Sequence, residues 1–136
     1  MFKRLLNRIR YNRRYGNHPG VLRLTNDGLS VEQFCLDNAT VALRPICRFS
    51  WREVSRILGF KRDLYSVDMI CIAFVLRDTT VEINEEMEGF ESIVRGFEAH
   101  FPGLKTEWWN TVAFPPFATN WTTIWEGSRV NPECWQ

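Results

Sequence analysis

A chain of 136 residues, 45% hydrophobic and 24% charged, has the size and composition of one folded unit that buries roughly two thirds of its unfolded surface. That composition excludes a disordered chain. Its longest apolar run, 69–76, is one strand long and far short of the roughly 20 residues of a spanning helix. The net charge of +1 conceals an asymmetry, because six of the 17 basic residues and none of the 16 acidic ones precede Gly20. A basic arm therefore leads into an acidic body. No secretory leader is expected, since the N-terminus lacks an apolar stretch followed by a small-residue cleavage site. The expected location is the cytoplasm, with peripheral association at the inner membrane as an extension of it.

Phe2, Leu5, Leu6 and Ile9 are spaced as the apolar stripe of an amphipathic helix, with most of Lys3, Arg4, Arg8, Arg10, Arg13 and Arg14 on its other faces. Two glycines, an asparagine and a proline between Gly16 and Gly20 stop any continuation. Residues 1–20 are read as a basic amphipathic helix and linker, and 21–136 as a single globular α+β domain.

From Val21 the period changes to two. Residues 21–25 and 29–32 flank Asn26-Asp27-Gly28 as a hairpin. A third strand region follows at 41–43 and 46–51, with Ile46 and Arg48 on one face and Cys47, Phe49 and Trp51 on the other. Pro45 marks it as an edge or an irregularity. The spacing Trp51-x-x-Val54-x-x-Ile57 fits both a helical turn and a strand, and is read as a short turn followed by a strand over 54–61. A turn at 64–67, an apolar strand over 68–76, a turn at Arg77-Asp78 and an alternating strand over 80–84 complete three consecutive antiparallel strands.

Phe90, Ile93, Val94, Phe97 and Phe101 form the stripe of a helix lying on the sheet, with Glu91 near its start and Pro102-Gly103 at its end. The remaining 33 residues hold five of the six tryptophans. Trp108, Trp121 and Trp125 are expected to wrap across the sheet and complete its core, leaving Trp109 and Trp135 as exposed candidates for partner contact. The expected architecture is a twisted antiparallel sheet or open barrel closed by the helix over 90–101.

Trp51, Val54 and Ile57, the run Phe60-Lys61-Arg62-Asp63, Asp68-x-Ile70, and Glu85-Glu86 before Gly89-Phe90 follow one another along roughly 21–101. In this order the segment resembles the pleckstrin-homology-like barrel of small bacterial proteins. That resemblance implies binding of phosphoinositides or peptides, or an immunity role in which the domain sits on a toxin and blocks it. The lipid-binding version carries lysines and arginines in its first hairpin loop, whereas Thr25-Asn26-Asp27-Gly28-Leu29 carries none.

The search for chemistry returns little. The four cysteines, Cys35, Cys47, Cys71 and Cys134, include no C-x-x-C pair and are read as free buried thiols. His18 lies in the linker and His100 at a helix end, neither beside a nucleophile motif. Glu85, Glu86 and Glu88 lie between a strand and a helix start, where carboxylates stabilise the helix N-terminus and stay solvated. No catalytic residue, metal or cofactor is expected, and the chain is read as a non-enzymatic bacterial interaction protein, of the immunity or adaptor type, that binds a protein partner. Lys3, Arg4, Arg8, Arg10, Arg13, Arg14, Trp109 and Trp135 are the partner-binding candidates. One alternative is a peripheral membrane module whose basic helix contacts anionic lipid; the same arm would neutralise nucleic-acid phosphates. The other is a hydrolase or metal enzyme assembled from Glu85, Glu86, Glu88 and His100.

Overall fold

In the computed structural model, residues 18–38, 40–63, 68–116 and 118–127 are described. The expected basic helix with its six cations, the turn at 64–67, Cys134 and Trp135 lie outside the described residues. Seven strands run in the order β1 (Val21–Leu24), β2 (Gly28–Asp37), β3 (Thr40–Ser50), β4 (Arg56–Asp63), β5 (Asp68–Val75), β6 (Thr80–Asn84) and β7 (Thr122–Glu126). Three short helices, α1 (Phe90–Arg95), α2 (Phe97–His100) and α3 (Trp108–Ala113), lie between β6 and β7.

The strands form two sheets, one of three strands ordered β1-β2-β3 and one of four ordered β6-β5-β4-β7. All the pairings are antiparallel, and the sheets do not close on each other. The single expected sheet is thus divided after β3. There Trp51–Glu53 forms a 3-10 turn, with the Ser50 backbone N–H donating to Glu53 Oε2 at 2.7 Å and the Trp51 N–H to the Asp27 carbonyl at 2.9 Å. The turn reading of Trp51-x-x-Val54 holds, and the chain leaves the first sheet at that point.

Alternation explains the strands. In β5 and β6, Ile70, Ile72, Phe74, Val81 and Ile83 face one common core with Leu22, Leu29, Val31 and Phe49 of the first sheet. Ile46 and Arg48 are exposed, Cys47 half-buried and Phe49 buried, as the β3 pattern predicts. β3 is an edge strand, and its pairing with β2 slips at Ile46: Val31 faces Cys47 while Glu32 faces Pro45. This is the bulge that a proline without an N–H favours.

The helix expected over 90–101 is broken into α1 and α2 at Gly96, the poorest helix former short of proline. Its stripe still packs, with Phe90, Ile93, Phe97 and Phe101 buried and Val94 against them. Before α1, the Leu22 N–H donates to the Glu88 carbonyl at 2.7 Å and the Glu88 N–H to the Gly20 carbonyl at 3.0 Å, tying the β6–α1 turn to β1. Gly89 completes that join with φ 93°, and a Cβ there would lie 2.6 Å from the Leu22 carbonyl oxygen.

The tryptophan-rich tail contributes a helix and a strand. β7 pairs with β4, and α3 packs over Gly59, where a Cβ would meet Ile124, Val112 and Trp108 at 3.1–3.3 Å. Trp108 is buried and Trp125 half-buried. Trp121, expected in the core, is exposed.

Candidate functional site

Ile57, Gly59 and Lys61 point to the inner side of β4, so Leu58, Phe60 and Arg62 point outward. Across the register, Met69, Cys71 and Ala73 of β5 and Glu82 of β6 share that outer face. Phe60, Cys71 and Ala73 are buried there as a second small apolar cluster, with Leu58 and Met69 packed against them.

Three groups cover this cluster. The Trp121 indole lies on the Phe60 ring with centroids 4.1 Å apart and planes 15° from parallel. Arg62 places its guanidinium carbon 5.3 Å from the centre of the Phe60 ring. Its Nε and Nη2 each donate to one carboxylate oxygen of Glu82 at 2.8 Å, the two-point geometry that fixes a guanidinium in place. The pair joins β4 to β6 across β5. Burial first, and Glu82 second, push the Cys71 thiol up to about 11. It is therefore protonated and unreactive at neutral pH.

Lys61, on the inner side, is the charged residue that sequence reasoning missed. Its ammonium is buried and donates to Asp68 Oδ2 at 3.2 Å, the Ala113 carbonyl at 2.9 Å and the Pro115 carbonyl at 2.6 Å. An ammonium has three protons, and each has an acceptor. The Lys61 backbone N–H donates to the Thr119 carbonyl at 2.8 Å. Asn120 Nδ2 adds bonds to the carbonyls of Val112 at 3.1 Å and Pro115 at 2.9 Å. These bonds fasten the loop from α3 to β7 at both ends, and that loop presents Phe114, 70% exposed, and Trp121, 59% exposed. The outer face thus offers the exposed Trp121 indole on Phe60 beside an arginine held by Glu82. Irregular spacing within the tail gave no signal for this. The one clue was a lysine between Phe60 and Arg62 in a strand-like run.

The other candidates are scattered. Trp109 is exposed on α3, against Trp108 at 5.3 Å and Phe90 at 6.4 Å. His18 Nδ1 accepts the Gly20 N–H at 3.1 Å. His100 stacks on Trp51 at 5.1 Å beside an open cavity of about 410 Å³, whose lining among the described residues includes Arg52, Phe101, Trp125 and Glu126 but no Ser, Thr or Cys. Glu85 Oε1 accepts the Ile70 N–H at 2.9 Å, so it caps β5 and not the helix start, where no side chain bonds the cap. Glu86 donates its backbone N–H to Asn84 Oδ1 at 3.0 Å. Among the described residues no three His, Cys, Asp or Glu side chains come together to hold a metal. Cys35, Cys47 and Cys71 are free, but only Cys71 is buried, and Cys35 and Cys47 are half-buried.

These features define an α+β protein of two antiparallel sheets with an aromatic outer surface. No protein-family model, curated protein or solved structure matches the chain. No helix among the described residues is long and apolar enough to cross a membrane.

Proposed function

We propose that the chain is a non-enzymatic bacterial interaction protein, of the immunity or adaptor type, that binds a protein partner through the outer face of the four-stranded sheet. The observation that carries this reading is the exposed Trp121 indole stacked on Phe60 beside Arg62, next to the loop end fastened by Lys61 and Asn120. Trp and Arg dominate the energetics of protein interfaces, and a surface ordered before binding loses little conformational entropy on association. The net acidic body favours a basic partner, such as a toxin or an enzyme that handles nucleic acid. The pleckstrin-homology-like resemblance of the sequence is a fold-level analogy, which carries no function by itself.

The test is affinity capture from the native host with the wild-type chain and the R62A/W121A variant side by side. The expected result is one protein retained by the wild type and reduced at least about tenfold with the variant, the loss of about 1.4 kcal/mol or more. Equal retention by both, or retention only of anionic lipid, contradicts the reading.

A further inference from the structure

β6 is an outermost strand of the four-stranded sheet. Its pairing with β5 runs in one unbroken register, closed at one end by the Leu76 N–H on the Thr79 carbonyl at 2.8 Å and at the other by the Glu85 N–H on the Ile70 carbonyl at 3.0 Å. In an antiparallel strand the backbone groups turn toward a given neighbour at every second residue. Thr79, Val81, Ile83 and Glu85 therefore turn theirs to β5, and Thr80, Glu82 and Asn84 turn theirs outward. The Asn84 carbonyl accepts the Met87 N–H at 3.1 Å, but among the described residues no hydrogen bond from another element reaches the outward N–H or carbonyl of Thr80 or Glu82. Both residues are exposed.

An open edge of this kind is a template for another strand, and folded chains ordinarily cover or interrupt it. The other three edges are treated in that way. β1 is joined to the β6–α1 turn through Leu22, Glu88 and Gly20, β3 carries Pro45 and the register slip beside it, and the Ile124 carbonyl of β7 accepts the Lys105 N–H at 2.9 Å. β6 has no proline, lysine or bulge. Its one charge, Glu82, reaches back across β5 to Arg62, away from the open side.

The surrounding charge selects the occupant. Residues 77–88 hold five acids, Asp78, Glu82, Glu85, Glu86 and Glu88, against one base, Arg77. A second copy paired antiparallel along the full edge would set Glu82 opposite its own counterpart, and like charges so placed are destabilising. An extended segment with Lys or Arg at alternate positions meets complementary charge instead. We propose that β6 is completed by an extended basic segment of the protein partner, which adds a strand at Thr80 and Glu82 and lays one row of its side chains on the outer face beside Glu82 and Arg62. Backbone bonds hold such a segment and its side chains give specificity. The inference rests on the reading of that outer face as a protein-binding surface, and it names how the partner is held there.

The probe is a short synthetic peptide alternating lysine with valine, compared with a form N-methylated along its backbone and a form with glutamate for lysine. Amide exchange of the full chain is followed by NMR during titration. The expected result is slowed exchange at Thr80 and Glu82 with the lysine peptide, and affinity at least about tenfold weaker for either control. Thr80→Pro removes an outward N–H without touching the bonds to β5 or the Trp121 face, and should weaken the lysine peptide to a similar degree. Should that variant fail to unfold cooperatively, the N-methylated peptide on wild type decides alone. No binding, equal affinity for the lysine peptide and either control, or unslowed exchange at Thr80 and Glu82 overturns the inference. So does protection there that appears without peptide and grows with protein concentration, as for a second copy. Partner capture lost in R62A/W121A with Thr80 and Glu82 unprotected leaves the partner surface standing and removes strand addition alone; capture unchanged in R62A/W121A with both amides protected does the reverse.

Discussion

Trp121 lies flat on Phe60, with ring centroids 4.1 Å apart, yet Trp121 is largely exposed while Phe60 is buried beneath it. One indole face closes a small apolar cluster and the other is left to solvent. Replacing Trp121 by Ala is expected to weaken partner binding by about 2 kcal/mol or more, as for a central interface tryptophan. The folded state should lose only about 1 kcal/mol, the scale of an aromatic pair. Calorimetric titration and urea unfolding measure the two separately.

Lys61 makes a prediction of the opposite kind. Lys61→Met leaves two carbonyls and the Asp68 carboxylate without its ammonium, and removing one member of a buried pair costs about 3 kcal/mol or more. Arg62→Met breaks an exposed pair and should cost less than about 1 kcal/mol. Urea midpoints of the two variants should differ in that order.

The legibility of the chain follows from this contrast. An unbroken apolar run made β5 readable, regular alternation did so for β6 and the first hairpin, and the spacing of Phe90, Ile93, Phe97 and Phe101 marked the right residues for burial. The break at Gly96 was not read, because only tertiary packing decides whether a glycine bends a helix or is carried through it. β7 was not readable, because Thr122–Glu126 is a short strand whose pairing with β4 depends on contacts more than 60 positions away in sequence. The candidate site was illegible for the same reason. Phe60, Arg62, Glu82 and Trp121 meet only through strand register, and nothing local distinguishes Trp121 from the core tryptophan Trp108.

Gly89 joins the two sheets through a conformation that side chains resist. Gly89→Ala is expected to destabilise by about 1–3 kcal/mol, from the positive φ and from a Cβ placed 2.6 Å from the Leu22 carbonyl oxygen. Gly103 also has positive φ, 82°, but open space around it, so Gly103→Ala should be the milder of the two. Thermal unfolding of both variants checks the order.

Cys71 sets a pH dependence. Its ordinary value is 9.0 and the folded value is about 11, so between these limits the unfolded chain releases the thiol proton while the folded chain keeps it. Fewer protons bound in the unfolded state mean that stability falls as pH rises. The contribution is complete below about 9 and lost by about 11. Cys71→Ala should show a shallower decline over that window. A thiol reagent at pH 8 should modify half-buried Cys35 and Cys47 well before Cys71.

The claim that the outer face of the four-stranded sheet is the working surface is tested most directly by hydrogen exchange on the purified chain with and without its captured partner. The account predicts slowed exchange in 58–62 and 118–123, with α1 and the first hairpin unchanged. Protection confined to the cavity around His100 and Trp51, with 58–62 and 118–123 exchanging as in the free chain, would contradict it.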